Sequence, residues 1–347
     1  MVDALKKIAF RRFRKLETNL HDLNYLFWEC TTRCNLNCLH CGSDCSNTST
    51  LPDMPLQDFL QALDTIKNPA KNLIVVLTGG EPLLRKDLTE CGREIRKRGM
   101  RWGLVTNGQL YDEIRQNELL NAGLGALTIS LDGLEDSHNW LRNMPGSFAK
   151  VDKALSIAAN AKRLNFDVVT CVNQRNLREL PEIKCYLQKK GVKAWRLFTI
   201  IPIGRAADHS ELFLDKAQLK EMFEFIKASR KEAAMDVKFS CEGYTGSYEL
   251  KVRDSFFFCR AGINIASVLA DGSISACPNI DRSFSQGNIY QDNFYRVWQD
   301  RFLPFRDRSW TRKGKCAVCP DYRDCLGSGM HNWHGEKSEV LVCHRQV

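Results

Sequence analysis

From residue 23 to residue 200, short apolar runs alternate with stretches of helical periodicity. Leu23 to Glu29 reads as a first strand and Pro55 to Ile66 as an amphipathic helix. Leu73 to Thr78 (LIVVLT) is a strand with almost no polar position. A helix over Leu88 to Arg98, a strand Trp102 to Thr106 and a helix Tyr111 to Ala122 follow. The sequence continues with strand Ala126 to Leu131, helix Phe148 to Leu164, strand Asp167 to Val172, helix Leu177 to Lys190 and strand Ala194 to Ile200. Apolar strands separated by helices predict a parallel sheet covered by helices, curved or doubly wound. Thr78-Gly79-Gly80-Glu81, Thr106-Asn107-Gly108 and Asp132-Gly133 follow three of these strands. Ligand chemistry in parallel α/β proteins collects at such C-terminal strand ends.

The pattern changes after Gly204. A charged helix over Asp215 to Lys231 leads into a region poor in periodicity and rich in Gly, Ser, Asn, Asp and Cys. A loop-rich segment with few apolar runs needs another source of stability, and metal ligation supplies it in small domains. The expected division is an N-terminal helix over 1–22, the α/β body over 23–206, a helical connection over 207–250 and a cysteine-rich domain over 251–347. In the N-terminal helix, Leu5, Ile8, Phe13 and Leu16 recur at helical spacing among Lys6, Lys7, Arg11, Arg12, Arg14 and Lys15. The simplest arrangement packs the apolar face on the body and leaves the basic face in solvent. Peripheral membrane contact through residues 4–17, or binding of an acidic partner, is the alternative.

Composition changes the picture in one respect. The 347 residues are 44% hydrophobic and 26% charged, enough to bury a core, and carry a net charge of +9. Much of that charge sits in the N-terminal helix, so no nucleic-acid partner is expected. The 15 cysteines are too sparse for a disulfide-stapled secreted scaffold and odd in number. No secretory or membrane-spanning segment is apparent, and a reduced cytoplasm is the expected setting. Clustered thiols there read as metal or catalytic ligands.

Cys34, Cys38 and Cys41 stand as CxxxCxxC directly after the first strand. Three thiolates within eight residues hold a compact metal centre one ligand short of closure. With His40 before the last cysteine and Gly79-Gly80-Glu81-Pro82 after the second strand, the chain resembles the radical S-adenosylmethionine (SAM) superfamily. The resemblance spans residues 23 to 206 and takes in Met144 to Phe148 and Pro202-Ile203-Gly204-Arg205-Ala206. It implies a partial (β/α)6 TIM-type barrel and a [4Fe-4S] cluster on Cys34, Cys38 and Cys41. It also implies SAM held by Gly79, Gly80, Glu81, Pro82, Asn107, Ser130 and Asp132. The implied reaction is reductive cleavage of SAM to a 5′-deoxyadenosyl radical, which removes hydrogen from a substrate.

A second constellation reads Cys259-x12-Gly272-x4-Cys277, then Cys316-x2-Cys319-x5-Cys325, then Cys343. It resembles the SPASM domain of peptide- and protein-modifying members, which holds auxiliary [4Fe-4S] clusters. The resemblance assigns Cys316, Cys319, Cys325 and Cys343 to one complete auxiliary cluster. The other site keeps Cys259 and Cys277, but Gly329 stands where the pattern has a cysteine. Cys241, an unidentified noncysteine ligand, or no cluster at all remain open for it. His331, His334 and His344 read as neighbouring or surface residues rather than ligands. Arg142 reads as structural or surface, Cys30 as part of the barrel wall, and Cys45 as a spare thiol near the first cluster. Cys91, Cys171 and Cys185 read as buried hydrophobes.

The resemblance implies an enzyme, a radical SAM oxidoreductase or maturase acting on a peptide or protein side chain. A tetrapyrrole or other small molecule is the alternative substrate, and a non-enzymatic iron-sulfur or zinc protein the last. It further implies a reducing partner such as flavodoxin or ferredoxin, and possible dependence on a separate substrate-recognition protein.

Overall fold

The structure, a computed structural model, describes residues 2–67, 73–335 and 339–346. A 10-stranded sheet runs through it. Six parallel strands stand side by side in chain order: β1 (Tyr25–Thr31), β2 (Ile74–Gly79), β3 (Arg101–Thr106), β4 (Leu124–Ser130), β5 (Asn165–Val172) and β6 (Ala194–Thr199). The helices between them are α2 (Leu56–Asp64), α3 (Leu88–Lys97), α4 (Glu113–Asn121), α5 (Glu135–Arg142), α6 (Ser147–Ala159) and α7 (Leu180–Lys189). This is the expected β/α order, with α5 as an addition. Its sequence, EDSHNWLR, carries too many polar residues to read as a core helix, yet Ser137, His138 and Arg142 are buried.

Alternation explains why β1 settles as it does. Leu26, Trp28 and Cys30 point to one side and are fully buried. Trp28 stacks on Phe59 of α2 with ring centroids 4.0 Å apart, while the Arg85 guanidinium covers its ring at 4.9 Å and donates to the Cys30 carbonyl at 2.7 Å. Burial of such an aromatic side chain contributes about 1.5–3 kcal/mol. Cys30 thus takes its expected place in the wall, and Cys91 is likewise fully buried. Cys185 is exposed on α7, contrary to expectation.

Two features depart from the expected division at 206–250. After α8 (Lys216–Ser229), β7 (Asp236–Phe239) adds to β6 in parallel. At the opposite edge β8 (Ile265–Val268) pairs in parallel with β1 and leads through β9 (Ser273–Ser275) to β10 (Gly287–Asn288). The cysteine-rich segment is therefore sewn into the same sheet. Both strands are four residues long, too short to show a period.

The N-terminal helix α1 (Val2–Leu20) is present, although residue 1 of the expected range lies outside the described residues. Its orientation is largely the reverse of the expectation. Arg11 makes a two-pronged bond to the Asp324 carboxylate at 2.6 and 3.0 Å. Arg14 donates to the carbonyls of Asp324 and Arg323, each at 2.6 Å. Lys7 reaches the Tyr244 hydroxyl. Leu5, Ile8, Phe13, Leu16 and Leu20 are exposed instead, and of the aromatic residues Phe10 packs inward on Phe256 and Phe258. Three basic side chains are spent on the segment that carries Cys325. Among the described residues no helix is long and apolar enough to cross a membrane.

Candidate functional site

The C-terminal ends of β1 to β6 open onto a cavity of about 640 Å³. Cys34, Cys38 and Cys41 line one wall, with Gly79, Gly80, Asn107 and Ser130 beside them. The loop carrying the cysteines is fastened at several points. Cys34 N donates to the Ser46 carbonyl at 3.0 Å and Leu39 N to the Leu141 carbonyl at 2.9 Å. The 202–206 segment, singled out in the sequence without a role, clamps it from below. Arg205 donates to the carbonyls of Cys38 (2.9 Å) and Cys45 (3.0 Å) and to the Asp44 carboxylate (2.6 Å). Gly204 (φ +54°) lies so close to Cys41 that a Cβ would stand 2.5 Å from its carbonyl oxygen. Only glycine accepts both that angle and that approach.

The three sulfurs have different surroundings. Burial pushes Cys34 up to about 11; the Asn107 side-chain amide lies 3.8 Å from its sulfur. Burial also raises Cys38, opposed by Arg142, whose guanidinium donates to the sulfur at 3.7 Å. Cys41 is held below the usual thiol range by the neighbouring Cys45 and, against burial, by Arg205. Cys45 is thus at the first site, as expected. Among the described residues only His40, Asp132 and Cys171 place three such ligand atoms within 4.8 Å of one another. A thiolate zinc site needs edges of about 3.8 Å from Zn–S bonds of about 2.3 Å. The cysteine triplet is not gathered that closely.

The expected SAM-holding residues divide into two groups. Gly79, Gly80, Asn107 and Ser130 face the cavity. At Gly79 (φ +130°) a Cβ would lie 2.1 Å from the Thr31 carbonyl oxygen, and at Gly80 2.2 Å from that of Arg33. The backbone is therefore packed directly on the cysteine loop. Glu81, Pro82 and Asp132 do not line the cavity. Glu81 is fully buried and accepts from Leu83 N (3.0 Å), Thr106 Oγ1 (2.8 Å) and Asn107 N (2.8 Å). It ties the end of β2 to the end of β3 and sets the Asn107 backbone. Pro82 starts the short turn that follows.

Asp132 works through Arg142. The two form a buried ion pair at 2.5 Å, and Asp132 also accepts from Cys171 N at 2.8 Å. Burial would raise the Asp132 carboxyl, but Arg142, with His40 and His138, holds it below the ordinary range. Arg142, set aside in the sequence as structural or surface, is thus a cavity residue poised on a cysteine sulfur. It was missed because α5, which carries it, has no apolar signature. Cys171 also lines the cavity rather than filling the core.

Further lining comes from the 207–250 connection and the cysteine-rich domain. Cys241, Glu242, Cys277 and His331 face the same cavity. Cys259 is buried behind them, and Met330 N donates to its sulfur at 3.4 Å. Glu242 accepts from Thr199 N at 2.7 Å. Cys316, Cys319, Cys325 and Cys343 lie away from this cavity. Cys316 and Cys343 sit with Trp310, Trp333 and Val340 in a small apolar cluster. Cys325 accepts from Ser328 N at 3.1 Å, and its thiol, raised first by burial to about 12, also feels Cys343 and Cys316. Burial raises the Cys316 thiol as well, with Cys343 and Cys319 adding to the shift.

Comparison with known proteins agrees with this geometry. Residues 28–184 match the radical SAM superfamily model. Residues 259–320 match SPASM, an iron-sulfur cluster-binding domain. The chain is 28% identical over 324 residues to an AdoMet-dependent heme synthase of Methanosarcina barkeri, covering 86% of this chain and 89% of that one. It is 28% identical over 315 residues to the mycofactocin maturase MftC of Mycobacterium ulcerans, covering 88% and 82%. In fold it resembles Streptococcus suis SuiB bound to precursor peptide SuiA, with a TM-score of 0.71 at 15% identity over 96% of this chain and 79% of that one. The radical SAM domain implies a [4Fe-4S] cluster and SAM, and the SPASM domain auxiliary iron-sulfur clusters. The chain is an enzyme of the radical SAM superfamily, in its SPASM-domain-containing subgroup.

Proposed function

We propose that this enzyme removes hydrogen from a tetrapyrrole related to haem precursors, held in the cavity between the two cysteine-lined walls. The observation that carries the reading is similarity across nearly the whole chain, C-terminal half included, to enzymes named for haem synthesis. The cavity is compatible with it. Phe198, Ile200, Ile201, Ile203 and Ile280 give it apolar surface suited to a flat ring. Its floor holds the two glycines and Asn107 against which SAM would lie.

The residues present fit the implied groups. Cys34, Cys38 and Cys41 would hold the first cluster, with Gly79, Gly80, Asn107 and Ser130 around SAM. With SAM bound, that cluster supplies one electron, and the chemistry delivered to the cavity is hydrogen-atom abstraction. The chain's own part is placement. Arg142 neutralises negative charge at Cys38, Asp132 holds Arg142 in place, and Arg205 fixes the cysteine loop. Cys316, Cys319, Cys325 and Cys343 would hold an auxiliary cluster outside the cavity, where four thiolates leave no ligand position for substrate.

A peptide side chain is the second reading, favoured by the similarity to the mycofactocin maturase and first on the sequence alone. The test uses the anaerobically reconstituted full chain with dithionite and SAM. Iron-coproporphyrin III should bind with a shift of its Soret band and raise 5′-deoxyadenosine formation. Failure of the tetrapyrrole to bind, or to change 5′-deoxyadenosine yield, overturns the reading. Total absence of 5′-deoxyadenosine under every condition points instead to failed reconstitution of the first cluster, which iron analysis of the same sample identifies.

A further inference from the structure

The incomplete second site has an answer in the loop around Gly329. The position is closed to a side chain. A Cβ there would stand 2.4 Å from Cε1 and 2.9 Å from Nδ1 of His331, and 2.6 Å from the Glu242 carbonyl oxygen. The imidazole of His331 occupies the space that a cysteine at 329 would fill. The same loop is bound to the backbone next to Cys241. Gly329 N donates to the Glu242 carbonyl at 3.1 Å, and Asn332 Nδ2 reaches the same oxygen at 3.1 Å. Met330 N, between them, points at the Cys259 sulfur. Three stretches far apart in sequence, around 241, 259 and 330, therefore meet at one spot.

Cys277 completes the group. It lines the same cavity as Cys241 and His331. Among the described residues no three of these four ligand atoms lie within 4.8 Å of one another, so they do not form a single-ion site. Cys241 is exposed and lines the cavity. His331 Nε2 has a single long contact, 3.4 Å, with Asn332 Nδ2. Among the described residues no hydrogen bond occupies Nδ1.

We propose that Cys241, Cys259, Cys277 and His331 are the four protein ligands of a further auxiliary [4Fe-4S] cluster, built into the wall of the substrate cavity. Cys241 and His331 replace the two cysteines that this site lacks. Unlike Cys316, Cys319, Cys325 and Cys343, three of these four ligands face the cavity, so this cluster borders the substrate. The proposal rests on the iron-sulfur content of the SPASM domain and is independent of which substrate the cavity takes.

The test is iron and sulfide analysis of the reconstituted full chain, joined to pulsed EPR of the dithionite-reduced protein grown with 14N- or 15N-histidine. Wild type should hold about twelve irons per chain, three clusters of four. The double variant Cys259→Ala, Cys277→Ala should hold about eight. A Cys34→Ala, Cys38→Ala, Cys41→Ala variant should retain the isotope-sensitive nitrogen coupling, because that coupling belongs to the other wall. His331→Cys should keep about twelve irons and lose the coupling. Its retained iron content shows that the variant folds. About eight irons in wild type, unchanged in the double variant, overturns the cluster. About twelve irons without an isotope-sensitive coupling overturns His331 as ligand. Loss of radical SAM chemistry itself would show separately, as no difference in iron between wild type and the Cys34, Cys38, Cys41 variant.

Discussion

The two recognisable cysteine sets are built to opposite ends. Cys34, Cys38 and Cys41 line a cavity, and each sulfur has its own polar neighbour in Asn107, Arg142 or Cys45. Cys316, Cys319, Cys325 and Cys343 stand off the cavity, with indole rings beside Cys316 and Cys343. Three thiolates leave a vacancy for a reactant, while four close the metal centre. Between these two sets, ligand number and access to the cavity go together. The first set is held so that something else can bind, the second so that nothing else can.

The comparison breaks most visibly at Cys38. Cys38→Ala should reduce 5′-deoxyadenosine formation to the level of SAM in buffer and remove about four irons per chain. Cys325→Ala should also remove about four irons, yet leave SAM cleavage without substrate within about tenfold of wild type. Equal losses of SAM cleavage in the two variants would erase the distinction. The paired measurement is iron content against 5′-deoxyadenosine yield under dithionite.

The next effect lies in the support of the first set. Asp132→Ala would leave Arg142 as an unpaired buried charge, at a cost of about 3–5 kcal/mol. The midpoint of urea unfolding should fall accordingly. Asp132→Asn should fall less, because the amide oxygen still accepts from Cys171 N. A change below about 1 kcal/mol for Asp132→Ala would show that Arg142 does not depend on its partner. Gly80→Ala should cost about 1–3 kcal/mol through forced overlap with the Arg33 carbonyl. It should also raise the SAM concentration needed for half-maximal cleavage.

What was legible in the sequence follows the same division. CxxxCxxC and Gly79-Gly80-Glu81-Pro82 were visible because each is local: one loop after one strand supplies the whole element. The β/α alternation was visible because buried parallel strands leave unbroken apolar runs such as LIVVLT. Roles that arise only when distant segments meet were not visible. Arg142 reaches Cys38 from a helix with little apolar content, and Arg205 clamps a loop 160 residues earlier. Glu81 looked like a ligand holder, but its carboxylate is spent inside the sheet. His331 gains its significance only from the backbone at Gly329. The orientation of α1 was misread because its basic residues find partners at Asp324 and Arg323, which lie over three hundred residues away.

That last point yields the smallest effect and the subtlest test of the contrast. Arg11 and Arg14 grip Asp324 and Arg323, adjacent to Cys325, so α1 braces the closed cysteine set and not the open one. Arg11 is partly exposed, and such a pair contributes about 1 kcal/mol or less. Arg11→Ala should therefore barely lower global stability. It should instead loosen the loop locally, so that chelators strip iron from the Cys316, Cys319, Cys325 and Cys343 site faster than in wild type. Iron at the Cys34, Cys38 and Cys41 site should leave at the wild-type rate, because among the described residues no residue of that loop bonds to α1. Equal acceleration at both sites would mean that α1 stabilises the whole molecule, and the brace would not be specific to the closed set.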